Sequence, residues 1–195
     1  ENMLKSFGAD INIEKKNNQT SIYVKGKQEL KSNNIDVPSD LSSSAFFIVA
    51  ALINKGSKIN LNNININPSR DGILKALKKM GAKIIIKNQR TVSGEIVADL
   101  EVEYSDLVGC ELDAEMAKFM IDEYPILSIA AAFAKGTSIF RGLKELKVKE
   151  SDRLELIRLN LVNCGCNCEV INNDLIISPS EAYFPKNNKI RTDFD

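Results

Sequence analysis

Histidine and tryptophan are absent from the 195-residue sequence, and cysteine and proline are scarce, at four and five residues. Without histidine this segment holds no Ser/His/Asp triad, no Cys/His pair and no imidazole metal ligand, so acid–base work falls to carboxylates and lysine. Four cysteines among many other core-forming residues do not make a disulfide framework, and in an intracellular chain they stay reduced. Nor does one sign of charge dominate, with 26 Lys+Arg against 26 Asp+Glu. That balance, with 44% hydrophobic and 27% charged residues, belongs to a soluble globular protein and marks neither a nucleic-acid binder nor a membrane binder. The longest apolar stretch, residues 126–134, falls well short of the roughly 20 residues that span a bilayer. No basic-then-apolar signal peptide opens the chain, and a cytoplasmic location is expected. At this length the chain is one domain or parts of two.

What the sequence does have is repetition. Leu4-Lys5-Ser6-Phe7-Gly8, Leu77-Lys78-Lys79-Met80-Gly81 and Leu161-Val162-Asn163-Cys164-Gly165 each read as the last turn of an amphipathic helix stopped by glycine. Alternating apolar positions follow each glycine, at Ile11/Ile13, Ile84/Ile86 and Cys168/Val170, as a half-buried strand requires. A second element also recurs: residues 44–53, ending in Asn54-Lys55-Gly56, match residues 125–134, ending in Lys135-Gly136. These two helices are apolar on nearly every face and are expected to be buried on all sides, whereas their partners over 70–80 and 151–163 carry a polar face and should lie outside. Further strands are expected at 21–24, 98–103 and 175–177. One unit therefore reads strand, buried helix, strand, amphipathic helix, strand, strand, a βαβαββ plan with a period of about 80 residues. Such a unit cannot cover its own buried helix, so several must pack with those helices together and their sheets around them. About two units and the tail of a third are present, and both ends interrupt the pattern.

The run Val148-Lys149-Glu150-Ser151-Asp152-Arg153-Leu154 falls where a strand gives way to an outer helix. Free N–H groups and the helix dipole favour an anion there, and Lys149 and Arg153 would share a face if the first turn includes both. Two cations at a helix start make a phosphate or carboxylate pocket, with Glu150 between them as a tunable acid. The plain alternative is a solvated first turn capped by Ser151 or Asp152. Asp122, just before an apolar helix, is either its N-cap, with Pro125 tolerated in the first turn, or a carboxylate able to accept a proton from a substrate hydroxyl. Asp40-Leu41-Ser42-Ser43-Ser44 holds the matching place in the earlier unit, where capping explains Asp40 or Ser42 as well as phosphate binding does. Cys164-Gly165-Cys166-Asn167-Cys168 suggests a metal, but the repeat puts Cys166 and Cys168 where Ala82 and Ile84 stand, at small core positions. No second cysteine pair completes a tetrahedral set.

The run Val148-Lys149-Glu150-Ser151-Asp152-Arg153 resembles the V-K-E-[ST]-D-R signature of EPSP synthases, and Ile121-Asp122-Glu123-Tyr124-Pro125 resembles the family's I-D-E-x-P segment. Val37-Pro38-Ser39-Asp40 with Ser42-Ser43-Ser44-Ala45-Phe46 is similar to its V-P-G-D-x-S-S-A-x-F, and Asn67-Pro68-Ser69-Arg70 to its N-P-T-R turn. The likeness covers nearly the whole chain and is nearest the bacterial form called class II. It implies an α/β fold, the two-domain inside-out α/β barrel built from repeated βαβαββ units, with the active site in the cleft between domains. Residues 1–68 would end the N-terminal domain and residues 69–195 would form part of the C-terminal one.

The implied reaction moves the enolpyruvyl group of phosphoenolpyruvate to the 5-hydroxyl of shikimate-3-phosphate, with no metal or other cofactor. By the same resemblance Asp122 accepts the 5-hydroxyl proton, and Lys149 contacts shikimate-3-phosphate and phosphoenolpyruvate near that hydroxyl. Glu150 shuttles a proton to and from the phosphoenolpyruvate methylene, and Arg153 holds the phosphoenolpyruvate anion. A monomer is expected for the full-length protein. Ser39 replaces the usual glycine, which puts the geometry of that turn in question. Other parts of the family's site, including an N-terminal lysine and a D-H-R-I-A-M motif that Asp195 would begin, fall outside the segment, so the 195 residues alone should be inactive. The rival readings are the sister UDP-N-acetylglucosamine 1-carboxyvinyltransferase, against which the K-E-S-D-R run argues, and a non-catalytic repeat-type binding module.

Overall fold

The computed structural model describes residues 1–17, 19–179, 189–193 and 195. Helix α1 (Asn2–Ser6) leads to a hairpin of β1 (Ile11–Lys16) and β2 (Gln19–Val24). There follow α2 (Leu41–Ile53), β3 (Lys58–Asn65), α3 (Gly72–Lys79), β4 (Lys83–Val92) and β5 (Glu95–Glu103). The last part comprises β6 (Glu111–Leu112), α4 (Ala117–Met120), α5 (Tyr124–Ala132), β7 (Ser138–Phe140), α6 (Arg153–Asn163), β8 (Asn167–Ile171) and β9 (Asp174–Ser178).

The repeat is written in the hydrogen bonding. Ser39 bridges Ile64 of β3 in parallel, β3 pairs antiparallel with β5, and β5 pairs antiparallel with β4. In the next unit β6 runs parallel to β7, β7 antiparallel to β9, and β9 antiparallel to β8. Both units thus follow one βαβαββ order, the earlier one with a single bridge in place of its first strand. The helix stops match as well. After α1, α3 and α6 the glycines adopt φ +88°, +87° and +88°, and the residue beyond each donates back to the helix, Ala9 to Leu4, Ala82 to Leu77 and Cys166 to Leu161. A side chain with a Cβ is disfavoured in that left-handed conformation, so glycine ends the helix and turns the chain into the strand.

Helices α2 and α5 pack against each other in the middle of the core, α2 also against β3 and β5, and α5 against α6 and β9. Ile48, Leu52 and Leu127 are fully buried along them, each contributing about 1.5–3 kcal/mol by leaving water. Burial on every face does not hold: Phe46 and Phe47 on α2 are 58% and 65% exposed, and Phe133 at the end of α5 is 48% exposed. Each helix meets its own sheet on one side and the other helix on a second, which leaves a further apolar face to solvent. The outer helices α3 and α6 bury one face each, as expected, through Ile73, Leu74 and Leu77 and through Leu154, Ile157 and Leu161. Ser39 is free of strain, since it is not among the residues with positive φ and it makes a regular pair of bonds, from its N–H to Asn63 O and from Asn65 N–H to its O, each 2.9 Å. No helix among the described residues is long and apolar enough to cross a membrane.

Candidate active site

The chain enters α5 through a 3₁₀ turn, Ile121–Glu123. At three residues per turn, successive side chains point about 120° apart. Ile121 packs on the core, Glu123 is buried and turns to the head of α2, and Asp122 is left to project outward. Glu123, not Asp122, is the residue flanking α5, and it makes no side-chain cap bond; Pro125 lies in the first turn. The capping account of Asp122 therefore fails, and its carboxylate is bound elsewhere.

Its partners are the two cations singled out in the sequence. Asp122 Oδ1 lies 3.1 Å from Lys149 Nζ and 3.3 Å from Arg153 Nη1. These cations do not share a helix face: Asp152 caps α6 by accepting from Glu155 N at 3.0 Å, which starts the helix at Arg153 and leaves Lys149 outside it in extended conformation, φ −81° and ψ −157°. One reaches Asp122 from a loop and the other from the first helical position. Glu150 Oε2 is 2.8 Å from Arg153 Nη2.

A residue that sequence reasoning had not placed in the site joins them. Asp195 accepts from Arg153 Nε at 2.7 Å, from Arg153 Nη2 at 2.9 Å and from Ser151 Oγ at 2.8 Å. The Arg153 guanidinium, and after it the Ser151 hydroxyl, hold the Asp195 carboxyl down to about 2. Its only trace in the sequence is that the D-H-R motif would begin with it.

All five groups open on one cavity of about 850 Å³ between the head of α5 and the outer helix α6. Asp122, Lys149, Glu150, Arg153, Arg191 and Asp195 are its charged lining residues, and Ile126, Ile129 and Leu156 are among its apolar ones. A few convergent charged groups at the edge of an apolar recess is the usual form of a small-molecule site.

The head of α2 stands beside this site. Asp40 caps α2, accepting from Ser43 N at 2.8 Å and Ser43 Oγ at 2.7 Å. Burial pushes the Asp40 carboxyl up, but the Ser43 bonds, the Ser42 N–H and the charge of Arg70 together outweigh it and hold the group below its ordinary value. The Asn67-Pro68-Ser69-Arg70 turn is tied by Asn67 Oδ1, which accepts from Ser69 N at 3.0 Å, and it presents Arg70 Nη2 to Ser42 Oγ at 3.0 Å. Ser42 in turn donates to the buried carboxylate of Glu123. Burial raises the Glu123 pKa, with Ser42 and Arg70 acting against the rise.

Cys166 and Cys168 lie in the core, as the repeat requires, and burial pushes the Cys168 thiol up to about 12. Cys164 borders the cavity.

A sequence profile described as EPSP synthase (3-phosphoshikimate 1-carboxyvinyltransferase) matches residues 1–192. Among curated proteins, the 3-phosphoshikimate 1-carboxyvinyltransferase of Cereibacter sphaeroides is 46% identical over 177 residues, which cover 91% of this chain and 40% of that protein. The protein of the same name from Acidiphilium cryptum is 46% identical over 182 residues, 93% of this chain and 41% of the relative. The chain thus spans about 40% of the length of the curated relatives it matches. Among solved structures, an EPSP synthase from Acinetobacter baumannii superposes with TM-score 0.83 at 38% identity, covering 93% of this chain and 41% of that one. The enolpyruvyl transferase NikO from Streptomyces tendae, at TM-score 0.62 and 18% identity over 90% of this chain and 38% of its own, shares the fold. The architecture is the inside-out α/β fold of enolpyruvyl transferases, and with a profile match across nearly all its length and relatives at this identity, the chain belongs to the EPSP synthase family.

Proposed function

We propose that this chain is part of an enzyme that transfers the enolpyruvyl group of phosphoenolpyruvate to the 5-hydroxyl of shikimate-3-phosphate and releases phosphate. The observation that carries the reading is the meeting of Asp122 with Lys149 and Arg153 at the mouth of one cavity. Enolpyruvyl transfer passes through a tetrahedral intermediate, so it needs a base for the hydroxyl oxygen, an acid for the methylene carbon and cations for the anions. Asp122 takes the hydroxyl proton as the oxygen bonds to the central carbon of phosphoenolpyruvate. Glu150 gives its proton to the methylene, making it methyl. In the second half Glu150 takes a methyl proton back as the carbon–oxygen bond to phosphate breaks, and the hydroxyl proton held by Asp122 passes to the departing phosphate. Lys149 and Arg153 hold the anionic groups of the two substrates near these acids.

Charge sets a condition on this site. Lys149 and Arg153 already pair with Asp122 and Asp195, and Arg191, which also lines the cavity, pairs with Asp193, so each of these cations has a carboxylate partner before any ligand enters. Phosphate and carboxylate ligands therefore need further cations, which the rest of a longer protein would supply across the cleft. In this reading residues 1–68 close the N-terminal domain, residues 69–195 belong to the C-terminal one, and the complete protein is a cytoplasmic monomer.

Acceptor competition in the complete protein tests the proposal. Phosphate release from phosphoenolpyruvate is expected with shikimate-3-phosphate and not with UDP-N-acetylglucosamine, and Asp122→Ala and Lys149→Ala should each lower kcat by about 10²–10⁴-fold. Variants as active as the parent would point to a binding module instead, and the opposite acceptor preference to the sister transferase.

A further inference from the structure

Glu123 is a costly residue for its position. It is 4% exposed, although a carboxylate is seldom buried unless strongly partnered. It stands at the entry to α5 yet does not cap that helix. Its hydrogen-bond donor is Ser42, 81 positions earlier, on the head of the other buried helix. Ser42 is itself fixed by Arg70, whose Nη2 lies 3.0 Å from Ser42 Oγ, and Arg70 is aimed by the Asn67 turn. The chain Arg70, Ser42, Glu123 thus ends one residue from Asp122.

We propose that Glu123 is a positioning residue for the transfer reaction: its bond to Ser42 fixes the rotation of the turn Ile121–Glu123, and so aims Asp122 at Lys149 and Arg153. A turn of three residues has three sides. Ile121 is held by the core, which resists displacement inward but does not set rotation about the chain axis. Glu123 supplies the second fixed point through a directional bond to a neighbouring element. With both sides pinned, the third side, carrying Asp122, keeps a constant bearing on the cations. Without the Ser42 bond, the buried carboxylate would turn toward water and carry Asp122 with it. A displacement of about 1 Å in a reacting group can cost about 100-fold in rate. This role rests on the reading of Asp122 as the base, and Glu123 is not among the residues that line the cavity.

The test uses Glu123→Ala, Glu123→Gln and Ser42→Ala in the complete protein, with Asp122→Asn as a reference. Glutamine keeps an oxygen that accepts from Ser42. The expectation is a kcat lowered about 10- to 100-fold in Glu123→Ala and Ser42→Ala, little change in KM for either substrate, and recovery to within a few-fold of the parent in Glu123→Gln. A kcat for Ser42→Ala and Glu123→Ala within two-fold of the parent, or Glu123→Gln as impaired as Glu123→Ala, overturns the role. Crystal structures of Ser42→Ala and Glu123→Ala make the test independent of turnover. Loss of the Asp122–Lys149 contact, 3.1 Å in the parent, is expected, and its retention in both refutes the proposal. If Asp122→Asn is fully active, the assignment of the base has failed, while the crystallographic arm still decides what holds the turn. Should Glu123→Ala not fold, Ser42→Ala carries both arms.

Discussion

Arg153 and Asp195 meet at two points, Nε to Oδ2 at 2.7 Å and Nη2 to Oδ1 at 2.9 Å. The pairing fixes the plane of the guanidinium and points Nη1 at Asp122. Because the Asp195 carboxyl is lowered from 3.8 to about 2, its contribution to stability is fully present above pH about 4 and is lost as the pH falls through about 2. A carbon-13 titration of the Asp195 side chain should show a midpoint near 2. A midpoint near 3.8, the ordinary value, would mean that the pair does not persist in solution.

The charge count at the cavity predicts how the 195-residue chain behaves alone. Lys149, Arg153 and Arg191, each already paired with a carboxylate, leave little attraction for phosphoenolpyruvate. No measurable transferase activity is expected of the isolated chain, and calorimetry should find its affinity for phosphoenolpyruvate well below that of the complete protein. Robust turnover by the short chain would overturn the idea that the site is completed from elsewhere.

The packing of α5 carries a stability prediction. Leu127 is fully buried in a helix that meets α2, α6 and β9. Leu127→Ala should lower the unfolding free energy by about 2–5 kcal/mol, the usual range for a truncated core leucine, as read from urea denaturation. A loss below about 1 kcal/mol would contradict a close-packed centre.

The cysteines differ in access. Cys164 borders the cavity, whereas Cys168 is 5% exposed with its thiol raised to about 12 by burial. Iodoacetamide at pH about 8, followed by mass spectrometry, should therefore alkylate Cys164 well before Cys168, because the thiolate is the reactive form. Equal rates would show that β8 opens readily.

The repeat was legible because its signals are local: a glycine at Gly8, Gly81 and Gly165 after an amphipathic turn, then alternation. Those signals led to the helix stops, the strands that follow them and the core place of Cys166 and Cys168. The grouping of Asp122 with Lys149 and Arg153 came from motif resemblance, since pattern physics alone favoured a cap at Asp122. The structure gives that carboxylate ion-pair partners and leaves the flanking place to Glu123. Two features left no local trace. The bond from Ser42 to Glu123 joins residues 81 apart, and the one from Arg153 to Asp195 spans 42, so neither shapes a periodicity or a turn. The start of α6 was open between Ser151 and Asp152 because both are good caps, and only the bond to Glu155 N decides it. The exposed Phe46 and Phe47 were misjudged because an all-apolar helix says how much surface it can bury, not how much cover it receives.

The two units of this chain share one outline, and the hydroxyl of Ser42 in the earlier one binds Glu123 in the later. On the proposed reading the earlier copy lends a fixture through Ser42, and the later copy carries the base, Asp122. Excising the later copy as a free-standing module would strip α5 of the cover that α2 gives it and, on the proposed reading, leave Asp122 without a compass.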